Sequence, residues 1–337
     1  MNFWKDLPKP IFTLAPMADV TDAPFRRMIA KYSAHERKDG TIGGPDVMWT
    51  EFVAGDGLVR ATPEGKKLLM ADLMYSEEER PIVAQLFTSN PEHMEKAARL
   101  CLELGFDGVD INMGCPDRSI EKQGCGSAMI KNPENAKEII RAAKRGSKMD
   151  EEGGIPVSVK TRIGYNHDQL DEWLPAILSE SPAVVTIHAR TRKEMSKVPA
   201  DWSRVKRAVE IRNKLGSETL ILGNGDALSL DDAKAKVEAT GADGVMLDRA
   251  IFGNPWLFHP TKDISNIPLE ERLRVMVEHT KLFVELLPFK NFAVMKKHYK
   301  AYVNSFAGAS ELRALLMEKN SPEEIEKEVE MFLSKQG

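Results

Sequence analysis

The chain has 337 residues, a formal net charge of −4 at pH 7 and three cysteines. Its length is sufficient for one large domain and a small one, and 42% hydrophobic with 29% charged residues is ordinary for a globular protein. The net charge excludes a global attraction to nucleic acid, and the cysteine count excludes a disulfide framework. No apolar run approaches the roughly 18 residues of a membrane span. We therefore expect a cytoplasmic protein without a membrane segment or signal peptide.

Eight short apolar segments, rich in β-branched residues, alternate with stretches of helical periodicity. They cover residues 11–17, 46–52, 81–87, 108–114, 156–164, 183–189, 220–226 and 244–250. Cys101 lies on the apolar face of one intervening helix, which starts at Pro91 and ends before Gly105, so we expect it in the core. Eight strand–helix units predict an α/β protein with a (β/α)8 TIM barrel; a doubly wound open sheet is the alternative.

Nearly every predicted strand ends in a polar or reactive residue. These residues are Met17, Glu51, Gln85, Asn112, Lys160, His188 with Arg190, Asn224 with Asp226, and Arg249. Barrels build their active sites at the C-terminal ends of their strands. The pattern therefore predicts a site at this end of the barrel.

The sequence becomes helical throughout after residue 262. We predict a catalytic domain over 1–262 and an all-helical domain over 263–337, with a helix start at Ser321 and Pro322. Within 292–306, one helix face is an apolar stripe formed by Phe292, Met295, Tyr299, Val303 and Phe306. The other face carries Lys296, Lys297 and Lys300, which either bind a polyanion or form a solvated surface. The polar, glycine-containing composition of residues 36–45 predicts a mobile loop.

Several strand-end residues suggest a particular chemistry. Gly223 and Gly225, near Arg249, suit a phosphate site, although an ordinary tight turn is the alternative. Lys160 needs a partner if it points inward, and the electron-rich edge of a reduced flavin is one; a lysine that reaches the rim is the alternative. His188 with Arg190 forms a basic segment that suits an anionic or carbonyl-bearing ligand.

Cys115 and Cys125 lie in one glycine-rich segment. They are ten residues apart with no histidine nearby, so neither a zinc site nor a Cys-x-x-Cys redox pair is indicated. A single functional thiol and plain packing remain as alternatives.

A series of motifs resembles, in order along the whole chain, those of the tRNA-dihydrouridine synthases. The motifs are LAPMADVTDAPFR, WTEF, VAQLF, DINMGCP, GSAMIKNP, VKTRIG, IHARTR and NGD. The resemblance implies an FMN-containing (β/α)8 barrel followed by a helical RNA-binding domain. It also implies that uridine in tRNA is reduced to 5,6-dihydrouridine with NADPH as the electron donor.

The resemblance also implies residue roles, with no metal among them. Cys115 is the implied proton donor. The implied FMN-binding residues are Pro16, Met17, Ala18, Gln85, Lys160, His188, Asn224, Gly225, Asp226, Asp248 and Arg249. The implied substrate-binding residues are Asn112 and Arg190 for the uracil and Lys296, Lys297, Lys300 and Arg313 for the tRNA. Asp248 stands where the family usually has glycine, and we expect its carboxylate to point away from the phosphate.

The implied partner is a tRNA whose D-loop uridine is flipped into the barrel mouth by a monomer that needs no other protein. On this interpretation, residues 116–124 form a mobile loop whose Arg118 and Lys122 touch RNA, and Cys125 is a small residue in a turn. Three alternatives remain: a small-molecule flavin barrel such as a dihydroorotate dehydrogenase, dihydrouridine synthesis on another RNA such as ribosomal RNA, and an RNA-binding module without catalysis.

Overall fold

Eight parallel strands form one sheet in the computed structural model, which describes residues 2–37 and 40–335. The strands are β1 (Ile11–Leu14), β2 (Met48–Ala54), β3 (Ile82–Phe87), β4 (Gly108–Met113), β5 (Val157–Arg162), β6 (Val184–His188), β7 (Leu220–Asn224) and β8 (Gly244–Leu247). From β2 to β8 each strand pairs with the next one in sequence, and β1 pairs with β8. A parallel bridge between Thr13 and Val47 joins β1 to the residue before β2. The predicted barrel is confirmed.

The helices alternate with these strands and then continue alone. They are α1 (Ala23–Tyr32), α2 (Gly55–Arg60), α3 (Pro63–Asp72), α4 (Pro91–Glu103), α5 (Arg118–Glu121), α6 (Pro133–Ser147), α7 (Leu170–Leu178), α8 (Trp202–Lys214), α9 (Leu230–Thr240), α10 (Leu269–Leu286), α11 (Lys296–Tyr302), α12 (Ala309–Glu318) and α13 (Pro322–Leu333). Short 3-10 helices cover Phe3–Lys5, Glu77–Glu79, Gly126–Lys131, Arg249–Ile251, Ile264–Asn266 and Phe292–Met295. None of the described helices is long and apolar enough to cross a membrane.

The helix boundaries follow from local chemistry. Asn90 caps α4 by accepting a hydrogen bond from the His93 N–H, and Pro91 occupies the first helical position, where its missing N–H costs nothing. Gly105 follows the helix with φ of 79°, a conformation that glycine adopts without strain. Cys101 is fully buried on this helix, as predicted.

The chain divides into two compact units. The first comprises Met1–Ala18 and Pro45–Asp248, and the second comprises Asp19–Gly44 and Arg249–Gly337. The roles predicted for 1–262 and 263–337 stay predictions, because compactness does not test a role.

The second unit has its own apolar core. The predicted stripe contributes to it: Met295, Tyr299 and Val303 are buried, and Phe292 and Phe306 pack against them. The predicted start of α13 is also confirmed, since the Ser321 hydroxyl accepts a hydrogen bond from the N–H of Glu324.

Two segments differ from their predicted loops. Within 36–45, a short antiparallel pair joins His35–Glu36 to Ile42–Gly43; Lys38 and Asp39 lie outside the described residues. Residues 116–124 contain the helical turn α5, capped by Asp117, instead of an irregular loop. The turn forms because Ile120 is buried against Phe87 and Cys125, an apolar contact that ties the segment to the barrel.

Candidate active site

The ends of β3 and β4 carry a continuous chain of side-chain hydrogen bonds. Gln85 donates from Nε2 to Asp110 Oδ2 at 2.7 Å, and its Oε1 accepts from Asn112 Nδ2 at 2.9 Å. The Oδ1 of Asn112 then accepts from the backbone N–H of Gly114 at 3.1 Å and of Cys115 at 2.9 Å. Asp110 and Asn112 share one face of β4 because side chains alternate along a strand. The chain thus connects the barrel interior to the Cys115 backbone.

Lys160 stands next to this chain on β5, in register with Asn112. Its Nζ donates to Asn224 Oδ1 at 3.1 Å, while Asn224 Nδ2 donates to the Met246 carbonyl at 2.9 Å. Burial and, to a smaller extent, the neighbouring Arg162 lower the pKa of Lys160 to about 8, against attraction from Asp248 and Asp110. A cation is thus kept inside the barrel with an amide oxygen as its partner.

The backbone of Cys115 is held on both sides. Its N–H binds Asn112, and its carbonyl accepts hydrogen bonds from the N–H and the Oγ of Ser127, both at 2.9 Å. The residue is half-buried, and burial raises the pKa of its thiol. At neutral pH the sulfur therefore keeps its proton, which suits an acid better than a nucleophile.

Cys125 has a different environment. It is 1% exposed and packs with Phe87 and Ile120, and its Sγ lies 3.5 Å from the Gln123 carbonyl. Burial raises its pKa to about 11. The two thiols of this segment are therefore not equivalent: only Cys115 adjoins the chain of polar side chains.

Arg190 organises the ends of β6 and β7. Its Nε donates to the Val198 carbonyl at 2.7 Å, its Nη1 lies 3.1 Å from His188 Nε2, and its Nη2 pairs with Asp226. Arginine can only donate, so Nε2 of His188 accepts, and a neutral imidazole carries its proton on Nδ1. Gly225 lies beside this group with φ of +113°, and an added Cβ would approach His188 Cδ2 to 3.2 Å. The glycine allows His188 and Arg190 to pack this closely against the turn.

A model of the dihydrouridine synthase family matches residues 13–336. The chain belongs to the dihydrouridine synthase family. The family and the enzyme class predicted from the motifs are confirmed. One relative, a probable tRNA-dihydrouridine synthase 2 of Bacillus subtilis (strain 168), is 39% identical over 331 residues, covering 96% of this chain and 94% of the relative. A probable tRNA-dihydrouridine synthase of Staphylococcus aureus (strain MRSA252) is 38% identical over 323 residues, covering 95% and 92%.

A solved structure of histamine dehydrogenase from Rhizobium sp. 4-9 resembles this family member in fold. The TM-score is 0.50 at 12% identity, covering 81% of this chain and 48% of that chain. At that identity the likeness concerns the barrel fold alone.

Three residues of this dihydrouridine synthase escaped the strand-end pattern. Arg162 is 7% exposed and donates from Nε to the Gly114 carbonyl at 2.8 Å, beside Cys115; burial lowers its pKa to about 10. Asp110 and Ser158 lie deeper in their strands, where Ser158 Oγ donates to Asp110 Oδ1 at 2.5 Å. Alternation was the signal available for all three, since each is two residues from a predicted site residue on its own strand.

Glu121 was also missed, and it ties the segment between the two cysteines to the loop after β6. Its carboxylate accepts from Arg192 Nε at 2.8 Å, pairs with Arg192 Nη2, and accepts from Ser127 Oγ at 2.9 Å. Burial raises the pKa of Glu121, but the hydrogen bonds from Arg192 and Ser127 outweigh it and leave that pKa lowered. No sequence spacing brings Glu121 and Arg192 together.

The remaining predicted site residues have varied surroundings. Pro16, Met17 and Ala18 follow β1, and Met17 packs against the apolar barrel core. Asp248 Oδ2 lies 3.4 Å from Asn224 Nδ2 at the end of β7, and its orientation relative to a bound phosphate stays a prediction. Arg249 is exposed and begins a 3-10 helix of the second unit.

The predicted tRNA-binding cations all lie in the second unit. Lys297 and Lys300 are exposed and Lys296 is half-buried on α11. Arg313 on α12 donates to the Val303 carbonyl at 2.8 Å, so part of its guanidinium serves the fold.

Proposed function

We propose that this protein reduces uridine in tRNA to 5,6-dihydrouridine, with FMN as its cofactor and NADPH as the electron donor. The observation that carries the proposal is the half-buried Cys115, whose N–H binds Asn112 Oδ1 at 2.9 Å next to Lys160, in a member of the dihydrouridine synthase family. The names of the relatives, which specify tRNA, support the substrate.

The residues at the strand ends fit a flavin mononucleotide. Lys160, which is half-buried, offers a cation to the electron-rich edge of the ring, and Gln85 offers an amide. The turn Asn224–Gly225–Asp226, in which Gly225 has a φ of +113°, suits the phosphate-bearing side chain of the cofactor. When bound, FMN supplies the hydride for C6 of the uracil and takes electrons from NADPH.

Cys115 completes the reduction by protonating C5. Hydride addition at C6 places negative charge on C5 and the C4 carbonyl oxygen, because the C5=C6 bond is conjugated with that carbonyl. The S–H bond of Cys115 then breaks as the C5–H bond forms, and the thiolate recovers a proton from solvent. The raised pKa keeps this proton on sulfur until charge develops.

Asn112 and Arg190 are the proposed donors to the uracil carbonyls. Donors fixed in a dry site stabilise charge as it develops, because they need no reorganisation. Asn112 is 7% exposed and Arg190 2% exposed, and hydrogen bonds fix the orientation of both. The uridine must leave its stack to reach them.

The basic face of α11 is the proposed tRNA contact. Lys296, Lys297 and Lys300 lie opposite its buried stripe, and exposed lysines on one face suit a row of phosphates. A monomer acting in the cytoplasm, and a D-loop uridine as the target, are parts of the same proposal.

Paired cysteine variants test this function. Cys115→Ala is expected to keep the yellow bound flavin but to lose most dihydrouridine formation, measured by mass spectrometry of tRNA nucleosides, because no acid reaches C5. Cys125→Ala, the matched control, is expected to retain activity. Equal loss in both variants would contradict the assignment of the acid.

Substrate assays separate the alternatives. Turnover of dihydroorotate or free uracil, without activity on tRNA, would indicate a small-molecule flavin enzyme. Reduction of uridine in ribosomal RNA but not in tRNA would indicate that ribosomal RNA is the substrate. A colourless protein that binds tRNA would indicate a module without catalysis.

A further inference from the structure

Asp110 is a buried carboxylate for which the proposed reaction has no direct use. It is 1% exposed and accepts hydrogen bonds from Ser158 Oγ at 2.5 Å and Gln85 Nε2 at 2.7 Å. Burial raises its pKa to about 6, against these hydrogen bonds and the charge of Lys160. A carboxylate in the barrel interior costs free energy that an apolar side chain of the same size would not. Its presence therefore calls for a specific contribution.

That contribution is to fix the orientation of the side-chain amides of Gln85 and Asn112. An ionised carboxylate only accepts, so Gln85 must turn its NH2 group toward Asp110. The Oε1 of Gln85 then faces Asn112, which must present Nδ2 to it at 2.9 Å. The Oδ1 of Asn112 is consequently left for the N–H of Cys115, at 2.9 Å. Each amide could otherwise flip, and a flipped Asn112 would direct an NH2 group at the backbone N–H of Cys115.

We propose that Asp110 is a positioning residue, which fixes the place of the Cys115 thiol through Gln85 and Asn112. The proposal rests on the proposed function only in taking Cys115 as the acid. Asp110 acts through the orientation of two amides. The carbonyl side of Cys115 is held separately by Ser127, so loss of Asp110 frees one side of the residue and leaves the other.

Two substitutions at Asp110 separate direction from packing. Asp110→Leu keeps the branched shape and the number of non-hydrogen atoms, although it adds volume, and it removes every acceptor, so Gln85 and Asn112 are free to flip. Asp110→Asn keeps an oxygen for Gln85 Nε2 and turns its NH2 group toward Ser158 Oγ, which is able to accept. Ser158→Ala is the matched control, because it removes one contact to Asp110 and leaves the contact with Gln85.

The first measurement does not depend on turnover. Alkylation of the holoenzyme by iodoacetamide, followed at each cysteine by peptide mass spectrometry, reports how firmly Cys115 is held. In Asp110→Leu we expect Cys115 to react faster by roughly 5–30-fold, because its backbone N–H loses a fixed acceptor. Asp110→Asn and Ser158→Ala should react at the wild-type rate. Buried Cys101 should stay unreactive in every folded variant.

The second measurement is single-turnover reduction of tRNA. A displaced acid is expected to slow the chemical step by roughly 100-fold in Asp110→Leu with no change in the apparent Kd for tRNA, and Asp110→Asn should restore the rate. Wild-type alkylation and reduction in Asp110→Leu would overturn the proposal, as would an asparagine variant as impaired as the leucine one.

Failure to fold and failure of the proposed function are both distinguishable. If reactive Cys101 shows that Asp110→Leu is unfolded, Asp110→Ser removes the contact with Gln85 without adding volume, and the same criteria apply. If Cys115→Ala remains active, the proposed acid is wrong, but the alkylation result still decides whether Asp110 orders Cys115.

Discussion

Replacing Lys160 by methionine should stabilise the flavin-free protein while removing its activity. The pKa of Lys160 falls from 10.5 to about 8 in the folded protein. This difference corresponds to a folding cost of about 3 kcal/mol at neutral pH, at about 1.4 kcal/mol for each pKa unit. Methionine fills the same space without that cost but loses the hydrogen bond from the charged Nζ to Asn224 at 3.1 Å, worth about 2 kcal/mol. The net gain is about 1 kcal/mol, or roughly 2–4 °C in Tm.

The gain should depend on pH in a defined direction. Below pH 8 the lysine is protonated in both states, so wild type bears the whole cost. Between pH 8 and 10.5 only the unfolded state binds the proton, so wild-type stability rises with pH relative to the variant. Above 10.5 both states are neutral and the charge-related part of the advantage disappears.

Urea unfolding of the flavin-free proteins at pH 7 and at pH 10 measures both effects. The flavin must be absent because a ligand of the folded state would stabilise wild type and mask the cost. A variant less stable than wild type at pH 7, or an advantage that does not shrink at pH 10, would refute the reasoning. Lys234→Met is a matched control, since Lys234 is exposed on α9 and pairs only locally with Asp231.

Two further predictions concern the second unit. Changing both Lys297 and Lys300 to Gln should weaken tRNA binding and reduce the steepness of log K against log salt concentration by roughly 2, because each lost phosphate contact removes about one unit of that slope. Filter binding measures the slope, with Lys281→Gln as the control. An unchanged slope would mean that the RNA does not contact this face of α11. His279→Phe should stabilise the protein at pH 5 more than at pH 7, as measured by thermal unfolding. Burial lowers the pKa of His279 to about 3, and both its ring nitrogens lack partners among the described residues, so only the unfolded state binds the extra proton as pH falls below 6.5. An equal effect at the two pH values would contradict this account.

The strands were predictable because their pattern is local. All eight lie within the predicted segments or within two residues of them, and the main error was at their ends. The first was predicted to reach residue 17 but stops at Leu14, since the apolar character continues through Met17, which packs against the barrel core after the sheet pairing has ended. A run of apolar residues indicates that the segment is buried, and a segment can be buried without being a strand.

The helical turn α5 was not predictable from its own residues. Ile120 is one apolar residue in a polar run, and its burial depends on Phe87, more than thirty positions earlier. The strand-end pattern named Gln85, Asn112 and Lys160, which the structure places next to one another. Asp110, by contrast, lies inside an apolar strand, where only its hydrogen-bond partners explain a carboxylate.

The segment between Cys115 and Cys125 closes on itself. The Cys115 carbonyl accepts from Ser127, and the neck is so narrow that a Cβ on Gly126, at φ of +59°, would meet that oxygen at 2.6 Å. A loop whose two ends lie next to each other can change in length without displacing the residues at those ends. Exposed residues at its tip, such as Lys122 and Gln123, are therefore suitable positions for a fluorophore or an inserted tag that leaves the thiol in place.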